Sequence, residues 1–187
     1  MDIGCGEGRV TRDLKAAGHN VTGVDAAPTL LAAARDADPA GTYLLADAAH
    51  LPFPDDSFDA VIAYNTLMDV ADLPDSIQEA ARVLTPGGRL CVAITHPVTN
   101  TGSKNADGHF VLDGPYFQTR RITAWARGEG LEMRFQGWRR PLTAYTRPLE
   151  DAGLRIEAIR EPRTTLRDGT VATIPYHLWL RALKPRT

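Results

Sequence analysis

Cysteines, long apolar runs and a leader-like opening are scarce or missing in this chain of 187 residues. The only two cysteines are Cys5 and Cys91, whose spacing fits neither a disulfide framework nor a metal site. No apolar run approaches the roughly 20 residues that span a bilayer, and no charged-then-apolar segment opens the chain. These features predict a soluble, cytoplasmic protein of one domain.

A strong overall charge is also missing, although the charges that exist are unevenly distributed. The formal net charge is −2, which argues against bulk electrostatic attraction to nucleic acid. Residues 1–119 carry 7 basic and 16 acidic side chains, whereas residues 120–187 carry 14 and 7. The basic C-terminal third either pairs with the acidic part of the chain or faces an anionic substrate.

The sequence does contain a regular alternation of short apolar runs with helical stretches. Strands are predicted at 2–3, 19–24, 43–46, 58–63 and 89–94, and helices at 9–17, 28–35 and 76–84. This alternation is typical of βαβ units around a mostly parallel sheet.

The pattern changes after His96. Residues 97–140 hold several aromatic side chains but little periodicity, and an irregular segment of that length is usually functional or carries its own small elements. A helix at 142–152 and strands at 154–160 and 176–183 are predicted to follow. We therefore predict a single domain with a cofactor-binding core at 1–96, a lid or substrate insertion at 97–140, and a C-terminal helix and strand pair at 141–187.

The chain begins inside its first predicted strand. Strands usually run about five to six residues, but only Met1, Asp2 and Ile3 precede the first glycine. We therefore expect the usual N-terminal segment to be lacking. Three explanations are open: a missed upstream start codon, a truncated chain, or a protein that dispenses with those elements.

The sharpest local motif is the glycine-rich turn at residues 2–9, DIGCGEGR, between a strand and a helix. Glycines allow a tight turn and a close approach of ligand to backbone. The dinucleotide fingerprint G-x-G-x-x-G places a pyrophosphate at the helix N-terminus, but here the third glycine comes one residue early. Negative charge at Asp2 and Glu7 would repel a pyrophosphate and attract the ammonium and sulfonium of S-adenosylmethionine.

Two further acidic residues follow the next predicted strands. Asp25 lies 21 residues after Gly4, where a carboxylate can bind ribose hydroxyls, and Asp47 could bind the exocyclic amine of an adenine. Taken alone, each acid is equally well explained as a helix cap or turn residue. Because ligands bind at the C-terminal ends of strands in open α/β sheets, we predict that Asp2, Asp25 and Asp47 converge on one ligand.

The ordered motifs DIGCGEGR, GVD, AD, SFDAVIAYNTL and LTPGGRL over residues 1–96 resemble class I S-adenosylmethionine-dependent methyltransferases of the small-molecule group called methyltransferase type 11. The resemblance implies an α/β, Rossmann-like, mostly parallel seven-stranded sheet with an antiparallel final strand and a lid after strand five. It also implies S-adenosylmethionine as cofactor. The residues it implies for cofactor binding are Asp2, Gly4, Gly6, Gly8, Asp25, Ala26, Asp47, Ala48, Tyr64 and Asn65.

Methyl transfer from a sulfonium mainly requires positioning of the reactants, and a base helps when the acceptor is a hydroxyl or a protonated amine. The candidate bases are His96, Asp69 and Tyr116. His96 follows the fifth strand, where substrates should lie, or is a turn residue bonded to backbone before Pro97. Many members of the family carry histidine where this chain has Asp69, whose alternative role is capping or solvent exposure. No metal site is predicted.

Aromatic side chains in the 97–140 segment either line an apolar substrate pocket or form a small core of the lid itself. They are Phe110, Tyr116, Phe117, Trp125, Phe135 and Trp138. The leading hypothesis is methyl transfer to a small, anionic or aromatic acceptor. The alternatives are a non-catalytic or truncated paralogue that binds cofactor weakly or supports a partner, and a nicotinamide-dependent oxidoreductase. Nucleic acid and membrane are not favoured as partners, and the oligomeric state is not indicated.

Overall fold

The computed structural model describes residues 1–128, 131–165 and 169–186. The elements in chain order are β1 (Asp2–Ile3), α1 (Arg9–Ala16), β2 (Thr22–Asp25), α2 (Pro28–Ala37), β3 (Thr42–Leu45), β4 (Phe58–Tyr64), α3 (Leu73–Val83), β5 (Leu84–Thr95), α4 (Pro97–Asn100), β6 (Gly102–Lys104), β7 (Phe110–Leu112), β8 (Arg120–Gly128), β9 (Leu131–Arg139), α5 (Thr143–Asp151), β10 (Arg155–Arg160) and β11 (His177–Leu183).

Seven of these strands form one sheet in the order β10-β11-β5-β4-β1-β2-β3. Strands β1 to β5 pair in parallel, and β11 lies antiparallel between β5 and β10. The predicted mostly parallel sheet with an antiparallel final strand is confirmed. The strand order reverses between β1 and β4, and such a reversal opens a crevice at the C-terminal ends of the two strands.

The helix α3 shows how local sequence sets an element boundary. It begins at Leu73, three residues before the predicted start, because the Asp72 side chain caps it by accepting a hydrogen bond from the Asp75 N–H and Pro74 occupies its first turn. Its face of Ile77, Ala80 and Ala81 is buried against the sheet, as the apolar spacing predicts.

The antiparallel strand β11 completes the main hydrophobic core. Its alternate residues Leu178, Leu180 and Ala182 are buried with Tyr145 and Leu149 of α5, which follows from the two-residue period of side chains along a strand. No helix within the described ranges has both the length and the apolar character needed to cross a bilayer.

The 97–140 segment carries its own small secondary-structure elements, which is one of the two alternatives that its sequence left open. It contains the short helix α4 and two antiparallel hairpins, β6–β7 and β8–β9. The longer hairpin pairs residues from Arg120 with Arg139 to Gly128 with Leu131. Charged and apolar residues are mixed along both of its strands, so the sequence shows no clear hydrophobic periodicity from which these strands could be predicted. The strands form nevertheless, because the backbone hydrogen bonds between neighbouring antiparallel strands do not depend on an alternating side-chain pattern.

A pair of isoleucines tests the division between core and surface. Ile94 in β5 is fully buried, whereas Ile159 in β10 is 45% exposed. We expect Ile94→Ala to lower the free energy of unfolding by about 3 kcal/mol, since it removes buried methyl groups and leaves a cavity. The matched control Ile159→Ala should cost less than about 1 kcal/mol. Urea unfolding followed by circular dichroism measures both, and equal losses would contradict this core assignment.

Candidate functional site

The glycine turn after β1 is held against two neighbouring strands. The Gly4 and Cys5 N–H groups both donate to the Val24 carbonyl, at 2.7 and 3.0 Å. Gly4 has φ +66°, and a side chain there would overlap Thr66, whose hydroxyl donates to the Ile3 carbonyl at 3.0 Å. Gly4 therefore permits the close approach of the turn after β1 and the loop after β4.

Asp25, at the end of β2, fixes the open side of this turn. Its Oδ2 accepts a hydrogen bond from the Gly6 N–H at 2.8 Å, and its Oδ1 accepts one from the Ala27 N–H at 2.8 Å. Gly6 has φ +58°, and a Cβ there would meet no atom within 4 Å, so the turn is open on that side. Each Asp25 oxygen can accept a second hydrogen bond, which leaves capacity for ligand hydroxyls.

A cavity of about 540 Å³, here called the glycine-turn cavity, lies at the reversal of strand order. It brings together seven of the predicted cofactor residues: Gly4, Gly6, Asp25, Ala26, Asp47, Ala48 and Asn65. Within it the Asp47 Oδ1 accepts a hydrogen bond from the Ala49 N–H at 3.0 Å. Thr66 and Asp69 from the loop after β4 line the cavity as well.

Three of the predicted cofactor residues do not line this cavity. Asp2 is 1% exposed, and its Oδ2 accepts a hydrogen bond from the Thr11 hydroxyl at 2.7 Å. Burial raises the pKa of Asp2, and the Thr11 hydrogen bond opposes that rise. Gly8 lies against the Tyr43 ring, where a side chain would clash. Tyr64 is 39% exposed and lies under the Arg9 guanidinium. The structure thus brings Asp25 and Asp47 to one cavity and places Asp2 behind the turn.

Asn65 presents an unsatisfied acceptor beside this cavity. Its backbone N–H donates to the Ala93 carbonyl at 2.7 Å, and its φ of +54° turns the chain away from β4. The buried Oδ1 has no hydrogen-bond partner in the part of the chain that the structure describes. An unpaired buried acceptor is costly, so this oxygen is a candidate hydrogen-bond acceptor for a ligand group.

A second cavity of about 920 Å³, here called the lid cavity, lies between the loop after β4 and the 97–140 segment. Phe110, Trp125 and Trp138, three of the predicted aromatic residues, line it. Tyr116 and Phe117 instead pack against each other with ring centroids 5.2 Å apart. The predicted Phe135 side chain lies outside the described residues. The lid cavity is thus a second, partly aromatic space beside the first.

Asp69 lines both cavities. Burial by the surrounding protein raises its pKa to about 6, and the Arg140 charge opposes that rise. Its side chain is still accessible from the cavities, and no donor among the described residues contacts the carboxylate. Gly137 in β9 makes room for it, because a Cβ at that position would clash with the Asp69 Oδ1.

Arg140, which was not predicted as a site residue, holds the Asp69 loop in place. Its guanidinium is 5% exposed and donates to the carbonyls of Leu67, Val70 and Ala71 at 3.1, 2.7 and 3.1 Å. It also lies 5.1 Å from the centroid of the Trp138 ring. Burial lowers the pKa of Arg140. These partners lie about 70 positions away in the chain, and no local pattern marks the contact.

The other two predicted bases have structural partners. His96 is 8% exposed; its Nδ1 accepts a hydrogen bond from the Val98 N–H at 3.2 Å, and its Nε2 lies 3.0 Å from a Glu161 oxygen. The Tyr116 hydroxyl accepts a hydrogen bond from the Leu142 N–H at 3.1 Å. Neither residue lines the two cavities. The turn role considered for His96 describes its position, and a base role for either residue stays a prediction.

A sheet that reverses at β1 and β4, with a glycine turn and acids at that point, defines an α/β protein of the Rossmann-like class. Residues 1–92 match the family described as methyltransferase domain. The resemblance of this chain to class I S-adenosylmethionine-dependent methyltransferases is thereby confirmed. The match covers 92 of the 187 residues, and the family assignment concerns that part of the chain.

The individual proteins that this chain resembles are also named as methyltransferases. A demethylmenaquinone methyltransferase from Tropheryma whipplei is 41% identical over 101 residues, which are 52% of this chain and 42% of that protein. A malonyl-[acyl-carrier protein] O-methyltransferase from Serratia marcescens is 38% identical over 88 residues, 47% of this chain and 34% of that protein. The chain therefore matches less than half the length of either relative.

One solved structure shows that the likeness in fold extends beyond residue 92. An S-adenosylmethionine-dependent methyltransferase from Mesorhizobium loti superposes with a TM-score of 0.72 over 97% of this chain and 89% of that one. Its sequence identity is 24%, so the likeness concerns the fold alone. The 97–140 segment and the C-terminal strands therefore belong to the same architecture as the matched core.

Replacing Arg140 tests its hold on the Asp69 loop. We expect Arg140→Met to lower the free energy of unfolding by about 3 kcal/mol, because three carbonyls lose a charged donor. The matched control Arg160→Met removes an exposed guanidinium that, among the described residues, donates to the neighbouring Ile159 carbonyl alone, and it should cost less than about 1 kcal/mol. Thermal and urea unfolding would measure both, and similar stability of the two variants would show that Arg140 does not anchor the loop.

Proposed function

We propose that this protein binds S-adenosylmethionine in the glycine-turn cavity and transfers its methyl group to a small molecule in the lid cavity. The observation that carries the proposal is the position of Asp69, which lines both cavities. A cofactor in one cavity and an acceptor in the other would meet at that residue. The methyltransferase-domain match supports the same reaction class.

The groups around the glycine-turn cavity suit the three polar parts of this cofactor. Asp25 retains acceptor capacity for the ribose hydroxyls, and Asp47 offers a carboxylate to the adenine amine. The unpaired Asn65 Oδ1 suits the ammonium. When bound, the cofactor supplies a methyl group on a positively charged sulfur, which is an activated electrophile.

The protein contributes positioning and proton removal. Its two cavities hold the reactants as neighbours, which converts a bimolecular encounter into a reaction within one complex. Asp69 would accept the proton of an acceptor hydroxyl or ammonium, and at a pKa of about 6 it is mostly ionised at pH 7. A carboxylate with a pKa close to the working pH is well matched to that role.

A small-molecule acceptor is the substrate class favoured here. The relatives named above are methyltransferases of demethylmenaquinone and of a malonyl group on acyl-carrier protein, and by analogy we propose a small organic group as acceptor for this chain. The volume of the lid cavity, about 920 Å³, lies within the range of pockets that enclose drug-sized ligands.

Cofactor binding is tested by isothermal titration with S-adenosylhomocysteine, the demethylated product. We expect one saturable site, and Asp25→Asn should weaken binding at least about tenfold, or about 1.4 kcal/mol. The control Asp36→Asn alters an exposed carboxylate on α2 and should bind like the wild type. Absence of binding by the folded wild-type protein, to this ligand and to S-adenosylmethionine alike, would overturn the proposed function.

The role of Asp69 is tested by the pH dependence of methyl transfer to a panel of small hydroxyl and amine acceptors. Because the pKa of Asp69 is about 6, the base is protonated below that pH, and kcat/KM should rise as the pH passes upward through 6. Asp69→Asn should lower kcat by about 10²- to 10⁴-fold and remove this rise.

Binding of S-adenosylhomocysteine provides the control for the Asp69 variant. It should be nearly unchanged in Asp69→Asn, since the positions that carry the cofactor proposal lie elsewhere in the cavity. An unaltered rate and pH profile in the variant would exclude Asp69 as the base. Cofactor binding without turnover on any acceptor would favour the non-catalytic alternative.

A further inference from the structure

We infer that the lid cavity selects an anionic acceptor, and that Lys104 binds its acidic group while an apolar, planar body lies along the aromatic wall. This inference rests on the proposed function, because it names the acceptor class of the same site. The chemistry it requires is an aryl or fused-ring molecule that carries a carboxylate and a separate nucleophilic hydroxyl.

The charges around the lid cavity single out Lys104. Among the residues that the structure describes, three with charged side chains line this cavity: Asp69, Lys104 and Arg139. Arg139 is already engaged by Asp113, whose carboxylate it contacts at 2.5 and 3.3 Å and shares with Arg120 at 3.1 Å, and the Arg139 hydrogen bond holds the pKa of Asp113 below its usual range. Lys104 forms no ion pair with any carboxylate in the described ranges. It is therefore the cation of this wall whose charge is left for a ligand.

The residues around Lys104 indicate what kind of uncharged group the acceptor would carry next to its anionic group. Lys104 in β6 pairs directly with Phe110 in β7, so a cation and an aromatic ring lie side by side on one hairpin. Phe110 packs so closely on Gly102 that a side chain there would overlap its ring. Met68, Ile122 and Trp138 add apolar surface to the same cavity. A ligand that uses this wall needs a flat apolar body next to its anionic group.

The negative charge of Asp69 sets a second requirement for the acceptor. Asp69 would repel a carboxylate, so an anionic group is favoured at Lys104 and disfavoured at the wall between the two cavities. A hydroxyl can approach Asp69 instead and give up its proton there. The cavity thus orients an acceptor by attraction at Lys104 and by repulsion at Asp69, which is a form of specificity that needs both charges.

Matched ligands test this inference with the full chain. We propose isothermal titration with 6-hydroxy-2-naphthoate, whose hydroxyl and carboxylate lie at opposite ends of the ring system, and with its neutral amide, 6-hydroxy-2-naphthamide, in the presence of saturating S-adenosylhomocysteine. The wild type should bind the acid at least about tenfold more tightly than the amide, in line with a charge-assisted contact. Lys104→Gln should remove this preference, and Lys104→Arg should retain most of it.

The control Arg155→Gln removes an exposed positive charge on β10 that does not line the cavity and should keep the preference for the acid. Circular dichroism would confirm that each variant is folded. Equal binding of acid and amide by the wild type, binding of neither, or an unchanged preference in Lys104→Gln would each overturn the inference.

The same proteins separate this inference from the proposed function. If S-adenosylhomocysteine binds but the acid has no advantage that depends on Lys104, the acceptor class is wrong and the cofactor site stands. If the cofactor product does not bind, the proposed function fails. Repeating the titration without it then still shows whether Lys104 selects an anion.

Discussion

The close contact between Gly4 and Thr66 is the constraint on which the site depends. It lets the turn after β1 lie directly against the loop after β4, at the point where the strand order reverses. A side chain at Gly4 would force these segments apart and disturb the cavity that they share. The Asp25 carboxylate then fixes the other side of the turn through the Gly6 and Ala27 N–H groups. The order of the strands and the lack of a side chain at Gly4 thus fix the backbone of the turn after β1 before any ligand binds.

The wall between the two cavities is built from distant parts of the chain. The Trp138 N–H donates to the Met68 carbonyl at 2.9 Å, which joins β9 to the loop after β4. Arg140 binds three carbonyls of that loop, and Gly137 leaves the space that the Asp69 carboxylate occupies. Because Gly137, Trp138 and Arg140 all act on one loop, a change in the hairpin would alter the position of Asp69. The 97–140 segment therefore shapes the chemistry as well as the acceptor space.

Sequence reasoning succeeded where local pattern and topology coincide. The glycine turn, Asp25 and Asp47 follow three consecutive strands, and parallel strands bring their C-terminal ends to one edge. It was less informative about Asp2, which has the right spacing but an inward side chain that the Thr11 hydroxyl satisfies. The β8–β9 hairpin and the role of Arg140 were missed, because mixed polarity hides strand periodicity and a buried arginine depends on distant carbonyls. For His96, sequence could not choose between a base and a turn residue.

The fold alone does not decide what this protein does, since one fold can carry many reactions. The arrangement of charged groups in the two cavities is what narrows the possible reactions. Carboxylates and an unpaired amide oxygen surround the glycine turn, a setting that disfavours a pyrophosphate and favours a cation. Asp69 faces both cavities across the shared wall, and the lid cavity adds Lys104, which forms no ion pair within the described part of the chain. If a cationic methyl donor occupies the glycine-turn cavity as proposed, Asp69 would lie beside its positive charge, while Lys104 would hold the anionic group of the acceptor away from that wall. The same charges that select each ligand would then leave the acceptor hydroxyl as the group that approaches Asp69.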